Sequence, residues 1–213
     1  MVNIMKKKLP HLLILFGILS LNSCVLYDFI TGTEPAQIEC DDKRLFVVPF
    51  NVNTEHENFR YFDSKMGRSI SDGISRAIIK NERSAKVAIA NDEIKTAANN
   101  PFDTPKWAEI CTKHNLDFIV FGTITQFQTK DPRDVAVSNG KMSAKMSVID
   151  KDNNVIMQEE EFSVIYPEGR GKDPKYHIGA VDIELSNEQI TTRLINKLAI
   201  KLSRIFYSYK IEE

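Results

Sequence analysis

Residues 117–128, Asp-Phe-Ile-Val-Phe-Gly-Thr-Ile-Thr-Gln-Phe-Gln, constrain the fold more than any other stretch of the chain. The segment is apolar on both faces at first and then alternates, which is strand behaviour. Residues 44–50, Arg-Leu-Phe-Val-Val-Pro-Phe, are apolar nearly throughout. A continuous run of this kind belongs to a strand covered on both faces or central in a sheet. Pro49, lacking an N–H, ends its ladder.

Helical periods alternate with these runs. Met66, Ile70, Ile74, Ala77 and Ile78 share one helix face, with Asp63 or Ser64 placed to cap its start. Gly67 and Gly73 weaken that helix and let it pack close to a neighbour. A short strand follows at 86–90, then a short helix to about residue 98. Thr104 and Pro105 open another helix, with Trp107, Ile110, Cys111 and His114 on one face. After the 117–128 strand, residues 141–149 and 155–166 form a hairpin around the polar turn 150–154. Residues 167–186 are irregular. Ser186 and Gln189 then make a capping box that opens a long amphipathic helix through Tyr209. The order β-α-β-α-α-β-β-β-α predicts an α/β (α+β) sandwich, with a mixed sheet of about five strands flanked by helices.

The first 23 residues stand outside that fold. Lys6, Lys7 and Lys8 precede a short apolar run at 12–19, far below the roughly 20 apolar residues of a spanning helix. This is the pattern of a secretory signal. Its end, Leu21-Asn22-Ser23-Cys24, resembles the bacterial lipobox. The resemblance implies cleavage before Cys24 and acylation of its thiol and new amino group, palmitate-type chains that hold the protein on a membrane. Val25 stands where an Asp would retain such a protein at the inner membrane, so the periplasmic face of the outer membrane is the expected location. The expected organisation is a signal peptide at 1–23, acylated Cys24 and a tether at 24–43, and a single α/β domain at 44–213.

The whole chain of 213 residues carries 28 basic and 29 acidic residues. Removing the leader takes three lysines and no acid, leaving 25 basic and 29 acidic residues and a formal net charge of −4. That balance lacks the basic excess of a nucleic-acid binder. No zinc-protease, nucleophile-elbow, P-loop or dinucleotide motif is present, and the four histidines are scattered. The sequence therefore assigns no catalytic residue, no metal ligand and no cofactor. Asp150, Asp152 and Asn154 match alternate positions of a calcium loop, but Val155 occupies the place of its turn glycine. They read as a hairpin turn. Glu159, Glu160 and Glu161 alternate across a strand and read as a solvated or edge-protecting run. Arg170 and Lys172, flanked by Gly169 and Gly171, form a basic loop able to meet an anion or a partner. Cys40 is expected in the tether, and Cys111 as a buried thiol.

The motifs at 45–50, 87–90, 116–125 and 146–150 resemble the curli-secretion lipoprotein group (CsgG-like), the penicillin-binding-protein activator lipoproteins (LpoB-like) and the related TolB amino-terminal-like fold. The quoted residues are Leu45 to Phe50, Val87 to Ala90, Leu116 to Thr125 and Met146 to Asp150. The resemblance spans roughly residues 44–208 and implies a non-enzymatic role. The protein would be an interaction or assembly factor for an envelope protein partner, compatible with homo-oligomers. The alternative it implies is a subunit of a CsgG-like outer-membrane secretion channel. The 123–147 region, with Gln126, Gln128, Lys130, Asp131, Arg133, Asp134, Lys141 and Lys145, lacks the apolar alternation of a lipid-facing barrel hairpin.

Overall fold

The computed structural model describes residues 32–53, 60–88, 104–129, 140–166 and 186–211. The predicted short helix near residue 98 and the irregular segment before Ser186 lie outside the described residues. The strands are β1 (Thr33–Glu34), β2 (Arg44–Val47), β3 (Asn51–Val52), β4 (Lys86–Val87), β5 (Phe118–Gln128), β6 (Gly140–Asp150), β7 (Val155–Tyr166) and β8 (Tyr209–Lys210). The helices are α1 (Arg60–Asn81), α2 (Thr104–His114) and α3 (Asn187–Ser203), the last followed by a 3-10 turn at Arg204–Phe206.

The main sheet runs β4-β2-β5-β6-β7, with β3 also on β5. β2 lies parallel to β4 and β5, while β5, β6 and β7 are antiparallel. This is the expected mixed sheet with helices. The strand expected over 44–50 stops at Val47, and pairing resumes at Asn51, beyond its expected end. Val47 pairs with Val120, whereas Asn51 pairs with Thr123, a slip of one residue. Pro49 lies in the interruption and has no N–H to donate, so pairing stops before it and resumes beyond it.

The principal core lies between the sheet and the layer of α1 and α3. Val120 and Ile124 of β5, and Met142, Ala144, Met146 and Val148 of β6, are wholly buried there. Met66, Ile70, Ile74 and Ile78 of α1 meet them, as do Ile190, Leu194, Leu198 and Leu202 of α3. The close approaches of α1, to α3 and to the chain at Phe50, depend on glycine. A Cβ on Gly73 would come within 2.7 Å of the Ala199 Cβ, and one on Gly67 would overlap the Phe50 carbonyl oxygen. On the other side of the sheet, Trp107, Ile110 and Cys111 of α2 cover Phe46, Val48, Ile119 and Ile149.

The packed body begins earlier than residue 44. Ile38 and Cys40 are buried in the principal core. The amides of Gln37 and Ile38 both donate to the Ile205 carbonyl, each at 2.9 Å. Thr33 and Glu34 pair with Lys210 and Tyr209, and the Ile211 amide donates to the Gly32 carbonyl at 2.8 Å. Residues 32–43 are thus a strap across the body rather than tether.

The capping box at α3 is formed as expected. Gln189 N donates to Ser186 Oγ at 3.2 Å, and Ser186 N to Gln189 Oε1 at 2.9 Å. Two helix boundaries differ from expectation. α1 starts at Arg60, so Asp63 and Ser64 lie inside the helix rather than ahead of it. α3 ends at Ser203 rather than continuing to Tyr209. There the Ser203 hydroxyl back-bonds to the Ile200 carbonyl at 2.8 Å, and its oxygen also meets Tyr207 Oη at 2.9 Å. Such back-bonding competes with continuation of a helix. Tyr207 is extended, and the chain leaves as β8.

Candidate functional site: the open side of the sheet

The α2 side of the sheet is only partly closed. Trp107 stacks on Phe121, with centroids 6.2 Å apart and planes within 10°. Next to that stack is a hollow of about 220 Å³, lined by Asn53, Thr123, Thr125, Lys145, Ser147 and Glu159. Its shape follows from two irregularities in the ladder. On β7, Gln158 and Glu159 together face Ser147, because Met146 pairs with Glu160 and Val148 with Met157. Glu159 takes φ +46°, a region that disfavours side chains. On β5, the pairing shifts between Ile124 and Gln126, leaving Thr125 as the extra residue. Its hydroxyl oxygen is buried with no hydrogen-bond partner.

The bulge aims Glu159 back across the strands. Its amide donates to Ser147 Oγ at 2.9 Å, and its carboxylate sits 3.2 Å from Lys145 Nζ. Both charged side chains are about half exposed, at 45% for Lys145 and 59% for Glu159. A pair of that exposure contributes under about 1 kcal/mol. It therefore presents one charge of each sign on a surface that can exchange them for a partner's groups.

The carboxylate run falls on the sheet edge, since β7 pairs only with β6 among the described strands. Glu161 sits opposite Lys145 and Glu160 opposite Met146, so Glu160 lies on the other side from Glu161. All three glutamates are exposed. The same edge exposes Val155, Ile156 and Ile165. Lys201 Nζ donates to the Ser163 carbonyl at 3.0 Å and so occupies one open edge acceptor. Where the strap passes this edge, Gln37 and Ile38 face Ile156, Met157, Gln158 and Glu160 across a hollow of about 440 Å³.

Cys24, Arg170 and Lys172 lie outside the described residues. The Asp150 turn is within them, and its carboxylate is taken up by the turn itself. Asp150 Oδ1 accepts from the amides of Asp152 (2.9 Å) and Asn154 (2.7 Å), and Oδ2 accepts from Asn154 Nδ2 at 2.8 Å. Burial alone would raise this carboxyl. The hydrogen bonds from the Asn154 side chain and from the Asn154 and Asp152 amides outweigh it and hold the group below its ordinary range. No cluster of three metal-ligating side chains occurs among the described residues.

Both described cysteines are free and buried. They lie on opposite sides of the sheet, Cys40 in the principal core and Cys111 on the buried face of α2. Burial, then Glu82 and Asp41, push the Cys40 thiol up to about 12. Burial, then Asp150 and Asp117, push Cys111 up to about 11. Neither provides a thiolate nucleophile at neutral pH. The expectation of a tether cysteine at 40 is thereby corrected. A lone apolar residue two places before it, Ile38, was the only sequence signal of a buried strap.

No protein-family model matches the chain, and no curated protein does. Solved structures do resemble it in shape. The hypothetical protein CT253 from Chlamydia trachomatis is 17% identical, covering 76% of this chain and 96% of its own at a TM-score of 0.47. The PelC dodecamer from Paraburkholderia phytofirmans is 10% identical, covering 82% and 95% at a TM-score of 0.45. The LpoB C-terminal domain from Salmonella enterica is 11% identical, covering 61% and 87% at 0.40. At these scores the likenesses carry neither fold nor role. The α/β class stands on the sheet and helices described above.

Proposed function

We propose that this protein is a bacterial envelope lipoprotein, acylated at Cys24 and facing the periplasm from the outer membrane. Its α/β body acts as a non-catalytic interaction or assembly factor for another envelope protein. The observation that carries the reading is the box Leu21-Asn22-Ser23-Cys24, placed at the end of a lysine-led apolar leader. One acyl chain gives marginal membrane binding, while two or three give stable anchoring.

The half-open side of the sheet supports a binding role. Lys145, Ser147 and Glu159 stand there around a hollow, held by weak bonds that a partner's groups can replace. The chemically versatile groups elsewhere are sequestered, since Cys40 and Cys111 are buried with raised pKa values. Crosslinking on native membranes, followed by purification of the tagged protein, tests this role. Recovery of one stoichiometric envelope partner, lost with the paired changes Lys145→Glu and Glu159→Lys, is the expected result. Turnover of a small substrate with no recovered partner contradicts it.

The channel-subunit reading has no observation in its favour. Met142, Met146 and Val148 of β6 are committed to the core beneath α3. Sending this hairpin into a membrane would require unpacking that core.

A further inference from the structure

We propose that the hollow on the α2 side of the sheet binds one ring of an uncharged sugar, as a single unit of a glycan chain. The inference rests on the reading of this side as a binding surface. It goes beyond a protein partner and does not depend on acylation at Cys24.

Irregular backbone on two strands shapes the hollow. The residues of both bulges, Thr125 in β5 and Glu159 in β7, line it. Bulges recur beside functional sites, where they re-aim a side chain. Glu159 is held there at φ +46°, against the preference of its own side chain. The Asn53 amide donates to the Ile124 carbonyl at 3.0 Å and so sets Asn53 beside Thr125.

The lining selects the ligand. Its most exposed groups are Lys145 and Glu159, which are of opposite sign and 3.2 Å apart. Their charges offset each other, so neither an anion nor a cation gains much from entering. The more deeply placed groups are neutral hydroxyls. Ser147 is buried, and its oxygen accepts the Glu159 amide at 2.9 Å while keeping a proton to donate. The buried Thr125 hydroxyl has no hydrogen bond to lose when it turns to another rotamer to meet a ligand. Sugar hydroxyls donate and accept at once, which suits a lining of this mixed kind.

One wall is apolar. Phe121 lines the hollow, and Trp107 stacked on it braces its ring. A pyranose carries an apolar C–H face that packs on the electron-rich face of an aromatic ring. An aromatic side chain from a protein would leave the hydroxyls unmet, and a charged one would face its own sign at Lys145 or Glu159. The volume of about 220 Å³ is below the roughly 300–1,000 Å³ of drug-sized clefts, so one ring enters and the rest of a glycan stays outside.

Trp107 is the only tryptophan of the chain, and its stack on Phe121 makes its emission a reporter of the hollow. Full-length protein, in a detergent without sugar headgroups, is titrated with methyl glycosides of glucose, galactose, mannose and N-acetylglucosamine, and with their short oligomers. Saturation transfer from protein to glycoside protons gives a second readout that does not involve Trp107. Saturable binding of at least one neutral glycoside is expected, with affinity moving less than about twofold when salt is raised. Thr125→Val keeps the side-chain shape and should weaken binding about fivefold. Its unfolding midpoint should be unchanged or higher, because an unpartnered buried hydroxyl is removed. Phe121→Leu should weaken binding at least about tenfold. If Phe121→Leu does not fold, Thr125→Val decides alone. No saturable binding of any neutral glycoside overturns the proposal. So does stronger binding of glucose 6-phosphate or glucosamine than of neutral glucosides, or binding that Thr125→Val leaves unchanged. If a stoichiometric protein partner is recovered while no glycoside binds, the sugar site fails and the protein-partner reading stands. Glycoside binding with no recovered partner separates the two in the opposite sense.

Discussion

The two sides of the main sheet share the same strands and are finished differently. On the α1–α3 side, Val120, Ile124, Met142 and Met146 are fully buried against helix side chains of the same kind. On the α2 side, Phe46, Ile119 and Ile149 are covered, but beyond them Lys145 and Glu159 stand about half exposed. Alternation along β6 makes this possible, because each core residue is separated from the next by one that faces the opposite side. Stability is therefore concentrated on one side and the adjustable polar surface on the other. The smaller cluster under α2 covers only part of the second side, and the rest of it stays open around Lys145 and Glu159.

The sharpest way to break that comparison is to truncate both sides. Ile124→Ala should lower unfolding free energy by about 3 kcal/mol, since it empties a fully buried site. Lys145→Ala should cost under about 0.5 kcal/mol, because it removes only an exposed ion pair. Urea denaturation monitored through Trp107 measures both. Comparable losses at the two positions would show that the open side also holds the fold.

A second effect, of about 1 kcal/mol, is expected at the Asp150 turn, where three donors converge on one carboxylate. Its folded pKa is depressed, so its contribution is present above the ordinary carboxyl value near about 3.9 and is lost as pH falls through the lower folded value. Asp150→Ala should therefore be less stable than wild type at neutral pH, with the gap closing in acid. A gap that stays constant down to the acid transition would remove the carboxylate from the account of this turn.

The smallest effect is the most informative about the bulge. Glu159 occupies a φ that glycine adopts without cost. Glu159→Gly loses the Lys145 pair but relieves the backbone, so stability should stay within about 0.5 kcal/mol of wild type or rise slightly. If partner crosslinking falls while stability holds, Glu159 is there for what it presents. A loss of stability above about 1 kcal/mol would instead make the side chain part of the fold.

Much of the architecture was legible because local and tertiary signals agree. Ser186 and Gln189 bond each other within one turn, so the start of α3 needs no distant residue. Met66, Ile70, Ile74 and Ile78 repeat at helical spacing and are all buried. The features that escaped are set by distant contacts. Ile38 and Cys40 lie among polar residues without a period, and only the Ile205 carbonyl and the end of α3 explain their burial. Pro49 looks like a strand end in the sequence and is an interruption in the sheet, because β5 runs past it and offers pairing again at Thr123. The end of α3 depends on Ser203 meeting both Ile200 and Tyr207. The bulges in β7 place Glu159 beside Ser147, a relation that simple alternation does not encode. Of the predicted site residues, none lies among the described residues, and the open side emerged from the sheet's geometry.

Under the proposed function the body is held at a membrane so that its open side meets a partner there. The variant Cys24→Ser tests the anchor most directly. Cells grown with labelled palmitate should yield a labelled wild-type band that stays in carbonate-washed membranes. The variant should be unlabelled and released, with the same unfolding midpoint, because the core begins at Ile38. Each buried methylene contributes roughly 0.8 kcal/mol to membrane binding, so loss of the chains should move most of the protein out of the membrane fraction. A variant that remains as tightly membrane-bound as wild type would contradict the account.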